Sequence, residues 1–394
     1  MAQKDVGLKS LEDGPLAGTA GLAHWIEELG GEDSKKRVMS LCLTMAARRA
    51  DVFLVRQLLE QGADPEMAEH ARPGLDKDSL DSFNGEGLWK TPWSAALAAD
   101  SPECLAAMVE AGMSSVKPRL LLENWLNEER ALLIIAIQKG AARCVEAALR
   151  WALEKNPVAV QEAMPDAWRE LALGGAGAAS VEAIAKSLMG AGGDIDSYCE
   201  LAYPEPGMRQ LILELAAENS SSVVEGLLAA GANPMLGFPA SFAVGSDSES
   251  SLASLSLLLA AGVDPNRLSE DEGSLIQRAV EARSAEKIKA LAGAGASLEA
   301  RSESGLSMLA LAGLGGSSEC VGALLAEGLD PDEIVGDLPL ALWLESHDDQ
   351  CREYYGNYDG KDKTVLEMIL AASEAKQLAS ASGVAAKRSP SPRI

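Results

Sequence analysis

The sequence predicts an all-α fold made of repeated helix pairs, and three observations lead to that prediction. A glycine closes an apolar segment at seven places, namely Gly62, Gly112, Gly192, Gly231, Gly262, Gly295 and Gly328. The last four glycines lie 31 or 33 residues apart. An apolar residue stands four positions before every one of them and, in five copies, also eight positions before, which places both on one helical face. A period near 33 residues with two helices per unit is typical of a helical solenoid.

The stretch 305–331 shows one complete unit. Residues 306–312 predict a short first helix, residues 317–326 predict a second helix, and Gly328 provides the left-handed residue that ends it. An Asp-Pro pair, Asp330-Pro331, follows the glycine. The apolar run 131–137 predicts a first helix covered on both sides. Glycine-rich residues 174–177 fall where two helices of a pair turn, and they lack the Lys-Ser/Thr ending of a phosphate-binding loop.

These motifs resemble the ankyrin repeat family. The segment 305–312 (Gly-Leu-Ser-Met-Leu-Ala-Leu-Ala) stands where that family has Gly-x-Thr-Pro-Leu-His-x-Ala, and Thr91-Pro92 retains the Thr-Pro pair. The segment 257–266 (Leu-Leu-Leu-Ala-Ala-Gly-Val-Asp-Pro-Asn) is similar to the family's Leu-Leu-x-x-Gly-Ala-Asp-x-Asn ending. The resemblance covers roughly residues 38–370 and implies an ankyrin-type helical repeat solenoid with long loop insertions. The family's His is absent from every copy, so less regular turns are expected.

The chain is expected to fall into three parts. Residues 1–36 are read as an N-terminal tail with a capping helix, residues 37–380 as an array of eight or nine irregular repeats, and residues 381–394 as a basic disordered tail. Within the array, Pro157 and Pro165 are expected to bracket a connector helix containing Trp168, and residues 364–370 resemble a final first helix. The insertion 66–90 is expected to be a solvated loop.

Charge and cysteine content limit which kinds of partner and which cellular compartment the sequence predicts. The net charge of −25 and the isoelectric point near 4.5 oppose binding to nucleic acid or anionic membranes and favour a basic protein partner. Cys104, Cys144 and Cys320 occupy core-facing repeat positions, which suits a reducing cytoplasm. Residues 1–10 lack the apolar core of a signal peptide, and no apolar run is long enough for a membrane span. The expected location is the cytoplasm, or a host's cytoplasm if the protein is an effector.

Two insertions contain all five tyrosines of the chain. Tyrosine offers large contact area at low entropic cost, and loops are where scaffolds carry function. The predicted partner-binding residues are therefore the tyrosines and two neighbouring acids: Tyr198, Tyr203, Asp348, Asp349, Tyr354, Tyr355 and Tyr358. The alternative is that these tyrosines pack onto the stack.

No pattern in the sequence names a reaction. The three histidines lie in separate contexts, and no nucleophile elbow, zinc spacing or dinucleotide fingerprint is present. The densest set of possible ligands is His347, Asp348, Asp349 and Cys351, whose spacing fits no metal family. No catalytic residue, cofactor or metal is predicted.

The sequence favours a non-enzymatic protein-binding solenoid: an inhibitor, adaptor or effector that masks or scaffolds a partner. The resemblance implies a curved groove lined by inter-repeat loops and first helices. One alternative is an acidic mimic of nucleic acid that occupies the basic groove of a DNA- or RNA-binding protein, and a second is an uncharacterised enzyme. Irregular repeats rich in Ala and Gly suggest a bacterial or viral source. The identity of the partner and the oligomeric state stay open at this stage.

Overall fold

The computed structural model of the chain describes residues 32–65, 91–111, 128–155, 157–200, 209–269, 273–302, 304–346 and 363–387. The chain divides into two compact units between Arg209 and Gln210. The helices and strand of the first unit are α1 (Glu32–Arg48), α2 (Val52–Glu60), α3 (Pro92–Ala98), α4 (Pro102–Glu110), α5 (Glu128–Gln138), α6 (Ala142–Lys155), α7 (Pro157–Leu173), α8 (Ala178–Gly190) and β1 (Tyr198–Glu200).

The second unit continues the same alternation. After β2 (Arg209–Leu211), its elements are α9 (Ile212–Asn219), α10 (Ser221–Ala230), α11 (Pro239–Gly245), α12 (Ser251–Ala260), β3 (Leu268–Ser269), β4 (Gly273–Ser274), α13 (Leu275–Glu281), α14 (Ala285–Gly293), α15 (Met308–Leu314), α16 (Ser318–Ala326), β5 (Ile334–Val335), β6 (Leu338–Pro339), α17 (Leu340–Ser346) and α18 (Lys363–Lys387). Consecutive helices form pairs, and odd-numbered helices are the first members. Within this unit each first helix packs on the next first helix and each second helix on the next second helix, which confirms the all-α repeat fold.

The glycine stops behave as the sequence predicts. Six of them are described, and all have φ between 89° and 106°, in the left-handed region; Gly112 lies outside the described residues. The residue after each glycine donates its backbone N–H to the carbonyl four residues before the glycine, as in Val263 to Leu258 at 3.2 Å and Ala232 to Leu227 at 3.0 Å. This bond closes the helix end that a Cβ-bearing residue would strain.

The core lies along the face that the repeat pattern predicts. The residue four before each glycine is fully buried, at 0% exposure, in all seven copies: Leu58, Met108, Leu188, Leu227, Leu258, Leu291 and Leu324. The two polar exceptions eight before the glycine, Ser254 and Lys287, are buried as well. Lys287 Nζ donates to the carbonyl oxygens of Val244 at 2.9 Å and Ser246 at 2.6 Å, at the end of α11. Burial lowers the pKa of Lys287, and its two bonds tie α14 to the preceding repeat.

A polar tie of a different kind joins two repeats of the first unit. Asp100, in the turn between α3 and α4, has a φ of 48°. Its carboxylate accepts from the backbone N–H groups of Arg143 at 3.1 Å and Cys144 at 2.9 Å, in the first turn of α6. Asp100 therefore caps a helix of the next pair, where the exposed N–H groups of a helix start favour a carboxylate.

Several boundaries differ from those predicted. Helix α7 is one continuous helix through Pro165, with Ala163, Met164, Ala167 and Trp168 buried, and it pairs with α8 as a first helix rather than serving as a connector. The missing N–H of Pro165 is tolerated because tertiary packing holds both flanks. Helix α18 packs against α16 and α17, so residues 364–370 belong to a second helix, not to a first helix.

The ends of the array also shift. Helix α1 starts at Glu32, ahead of the predicted boundary at 37, and α18 runs to Lys387, into the predicted disordered tail. The predicted capping helix within residues 1–36, the insertion 66–90 and the last residues 388–394 lie outside the described residues. In the described part of the chain, no helix is long and apolar enough to cross a bilayer.

A candidate protein-binding surface on the inter-repeat loops

Of the seven predicted partner-binding residues, Tyr198 is the one that lies in the described part of the chain. It stands on β1 with 56% of its surface exposed, next to the buried Cys199. The other six, Tyr203, Asp348, Asp349, Tyr354, Tyr355 and Tyr358, lie outside the described residues. Their grouping into one surface stays a prediction.

The described cysteines act as packing residues. Cys42, Cys104, Cys144, Cys199 and Cys320 are all buried free thiols. Burial raises the pKa of Cys42 and of Cys199 to about 11, and it raises the pKa of Cys104, Cys144 and Cys320 as well. A thiol held protonated at neutral pH is a poor nucleophile and a poor metal ligand.

A groove of the first unit lies between α6 and α8. It has a volume of about 630 Å³ and is lined by Leu149, Leu153 and the charged chains of Glu146, Arg150, Glu154 and Lys186. Its hydroxyl, Ser187 Oγ, donates to the carbonyl of Ala183 in its own helix at 3.0 Å. Across the residues that the structure describes, no group of three or more His, Cys, Asp or Glu side chains could hold a metal ion.

The inter-repeat loops of the second unit form a better candidate. We use the term loop row for the described residues of loop A (232–238), loop B (263–274), loop C (296–307) and loop D (329–339). Loop B contains the β3–β4 hairpin, with Leu268 opposite Ser274, and loop D contains the β5–β6 hairpin, with Val335 opposite Leu338. Each loop follows an αL glycine, so each leaves its second helix in the same direction.

An Asx turn at the start of three of these loops explains the Asp or Asn two positions after the glycine. The side-chain oxygens of Asn233, Asp264 and Asp330 accept from the backbone N–H two residues later, at 3.0, 2.9 and 2.9 Å. Such a turn replaces the backbone partner that the departing chain has lost. The same bond forms in the first unit, where Asp194 accepts from Asp196 at 3.0 Å.

Loops A and B are joined by Arg267. Its Nη1 donates to the carbonyl of Met235 at 2.6 Å, and its guanidinium lies 4.5 Å from the centre of the Phe238 ring. A stacked guanidinium that also donates to a carbonyl has little freedom left. The Met235 side chain in turn reaches toward Gly262 of the next repeat, where a Cβ would lie 3.7 Å from Met235 Cε.

The same kind of tie continues along the row. Asn266 Nδ2 donates to the carbonyl of Gly295 at 3.0 Å, and its Oδ1 accepts from the Ser297 N–H at 2.6 Å, which joins loop B to loop C. Ser307 Oγ, at the end of loop C, bonds to the Glu333 carboxylate in loop D.

The last tie is made by α18. Its Lys376 pairs with Asp330 and, at 3.1 Å, with Asp332. This ammonium group lowers the pKa of Asp330, and a hydrogen bond with Ser373, together with Lys376, lowers the pKa of Asp332.

Glu214 anchors the beginning of the row. This carboxylate is 7% exposed and accepts from the backbone N–H groups of Leu211 at 3.0 Å and Phe238 at 2.7 Å. It therefore fixes the start of α9 and the end of loop A with one side chain. Gly237 lies directly against it, since a Cβ there would come within 2.2 Å of Glu214 Oε1.

The loop row exposes apolar side chains at both of its ends. Met235 is 43% exposed and Leu236 38% in loop A, and Ile334 is 61% exposed and Leu338 39% in loop D. The exposed charges of these loops are mostly acidic, namely Asp264, Glu299, Asp330 and Asp337. The one exposed base in the described loop residues is Arg301, whose Nη1 donates to the carbonyl of Gly305. The surface is therefore held in place, partly apolar and negatively charged.

Comparisons with known proteins find similar solved structures at low sequence identity. No protein-family model matches the chain, and no curated protein matches it. Among solved structures, the human ASB11 ankyrin repeat domain is similar with a TM-score of 0.35 and 13% identity, covering 83% of this chain and 96% of that one. The ankyrin repeat domain of Bcl-3, described as a unique member of the IkappaB protein family, gives a TM-score of 0.35 and 20% identity, covering 53% and 92%. The all-α repeat architecture rests on the chain's own helix pairs and αL glycines.

Proposed function

We propose that the protein is a non-enzymatic binding module that holds a partner protein against the loop row. The observation that carries this proposal is the continuous set of ties from Glu214 to Lys376, which fixes the four loops, while loops A and D expose apolar side chains to solvent. A surface that is already ordered loses little conformational entropy on binding. Steric masking or scaffolding of the partner follows from occupancy of this surface.

The chemistry of the partner follows from charge. The net charge of −25 and the exposed carboxylates of the loops favour a partner with a basic patch. The two arginines of the row are already bonded to backbone carbonyls, Arg267 to Met235 and Arg301 to Gly305. The finer roles of inhibitor, adaptor or host effector, and a bacterial or viral source, are hypotheses that identification of the partner would decide.

The proposal is tested by charge substitution on the loop row. The partner is captured from the source cell, identified and purified, and its affinity is measured by calorimetry. Met235→Asp combined with Ile334→Asp is expected to weaken binding more than tenfold, since a buried anchor contributes about 2 kcal/mol or more. The matched control is Phe53→Asp on α2, a residue 66% exposed in the first unit, which should change affinity less than twofold.

The competing hypotheses predict different results. An acidic mimic of nucleic acid would lose its partner to added DNA or RNA and would be insensitive to the loop-row pair. The tyrosine hypothesis predicts that Tyr354→Ala with Tyr355→Ala weakens binding at least as much as the loop-row pair does. Unchanged affinity of the loop-row double variant would overturn the proposed surface.

A further inference from the structure

The last helix pair exposes a face that is buried in the preceding pair. Leu342 of α17 occupies the place that Ala310 holds in α15, and Leu366 of α18 the place of Val321 in α16. Ala310 and Val321 are both 0% exposed, and α17 and α18 pack against the helices that carry them. Leu342 is 53% exposed and Leu366 is half-buried. Leu342 therefore presents an apolar side chain to solvent on the outer face of the last described helix pair.

A groove runs along this face. It has a volume of about 280 Å³ and lies between α17, α18 and the base of loop D. Its apolar lining consists of Pro331, Pro339, Ala341, Leu342, Leu366, Ile369 and Leu370. Leu370 is 52% exposed. The volume lies just below the roughly 300–1,000 Å³ of sites for drug-sized ligands, so it suits one or two side chains of another polypeptide.

The charges around the groove are acidic. Asp332 and Glu345 line its edges, and Glu367 and Glu374 stand exposed on α18. The nearby Lys376 is paired with Asp330 and Asp332. A second copy would bring an identical acidic rim and a net charge of −25 against the first, which opposes self-association. A helix with apolar anchors and basic flanking residues fits both the lining and the rim.

We propose that the groove between α17 and α18 is a second docking site, and that it takes an amphipathic helical segment of a partner whose apolar residues are flanked by Lys or Arg. The apolar anchors contact Leu342 and Leu370, and the basic flanks face Glu345 and Glu374. This extends the proposed protein-binding function to a surface separate from the exposed residues of loop A.

The test uses the full chain and a synthetic fourteen-residue amphipathic helix of leucine and lysine that carries a fluorophore. A peptide of the same design, with glutamate in place of every lysine, is the charge-reversed control. Anisotropy at physiological salt is expected to show binding of the lysine peptide alone. Leu342→Ala with Leu370→Ala, which leaves every charge in place, should weaken that binding more than tenfold. Val158→Ala, which truncates a residue 65% exposed on α7, is the matched control and should change it less than twofold. A photo-crosslinker in the peptide should mark residues 340–346 and 364–373.

Four results would overturn the proposal. Unchanged affinity of the leucine double variant would show general electrostatic attraction. Crosslinks confined to loop A, with binding lost in Met235→Asp, would show that the peptide binds the loop row and not the groove. That result would leave the proposed function intact. A tenfold gain in affinity when residues 347–362 are replaced by a glycine–serine linker would mean that this segment of the chain fills the groove. A dimer in sedimentation equilibrium that the leucine double variant converts to monomer would assign the groove to a second copy.

Discussion

Glu214→Ala is expected to lower the free energy of unfolding by about 2–5 kcal/mol. The buried carboxylate accepts from two backbone N–H groups, those of Leu211 and Phe238. The substitution removes the acceptor of both. An N–H left unpaired in a buried place costs about 1–3 kcal/mol, and hydrogen bonds to a charged group are stronger than neutral ones. The loss therefore exceeds that of an ordinary surface carboxylate.

Urea unfolding followed by circular dichroism measures this effect. Glu225→Ala, which removes an exposed carboxylate from α10, is the control and should stay within about 0.5 kcal/mol of the parent. Glu214→Gln keeps one acceptor oxygen and should lie between the two. A loss below about 0.5 kcal/mol for Glu214→Ala would mean that the start of α9 and loop A are held by other contacts.

Gly237→Ala and Gly336→Ala are expected to differ strongly although their backbones match. Their φ angles are 61° and 62°, so both substitutions carry the same left-handed penalty of about 1–2 kcal/mol. A Cβ at Gly336 meets nothing within 4 Å, whereas a Cβ at Gly237 would lie 2.2 Å from Glu214 Oε1 and 2.4 Å from Leu211 Cδ1. Overpacking adds about 1–3 kcal/mol at Gly237, and displacement of Glu214 adds the loss of its bonds.

The same denaturation experiment separates the two glycines. Gly336→Ala should be near the backbone penalty alone, and Gly237→Ala should cost at least about 3 kcal/mol in total. Gly237→Ala in the Glu214→Ala background should cost less than in the parent, since the clashing carboxylate is gone. Equal losses at both glycines in the parent would contradict the close packing of Gly237 against Glu214.

Much of the fold could be predicted because the same short-range sequence features recur in each repeat. The αL glycine, the buried residue four before it and the Asx turn two after it are short-range features, so Gly262, Leu258 and Asp264 could be interpreted from their spacing alone. Pro165 and residues 364–370 were misread because local signals there compete with tertiary packing. Helix α7 continues through its proline because its flanking residues are buried, and the first-helix motif in α18 takes a second-helix place because α18 packs against α16.

The candidate surface was harder to predict. The tie from Arg267 to Met235 and the bond from Glu214 to Phe238 join residues 24 to 32 positions apart, and neither belongs to the repeat motif. Asn266 could have been found, since it ends the segment closest to the family's Asp-x-Asn pattern, and the structure gives its role as the bond to Gly295 and Ser297. Lys287 stood out in the sequence as an exception, but its carbonyl partners lie in another repeat.

Amide hydrogen exchange of the protein, alone and with its purified partner, tests the central claim most directly. The claim is that the loop row is the surface that meets the partner. Amides of 233–238, 264–269, 297–302 and 332–338 should exchange more slowly in the complex, because binding excludes water from loops that no helix protects. Exchange in α10, α12 and α14, the second helices of three pairs, should be unchanged. Slowing confined to those second helices or to the first unit, with the loop row unaffected, would contradict the account.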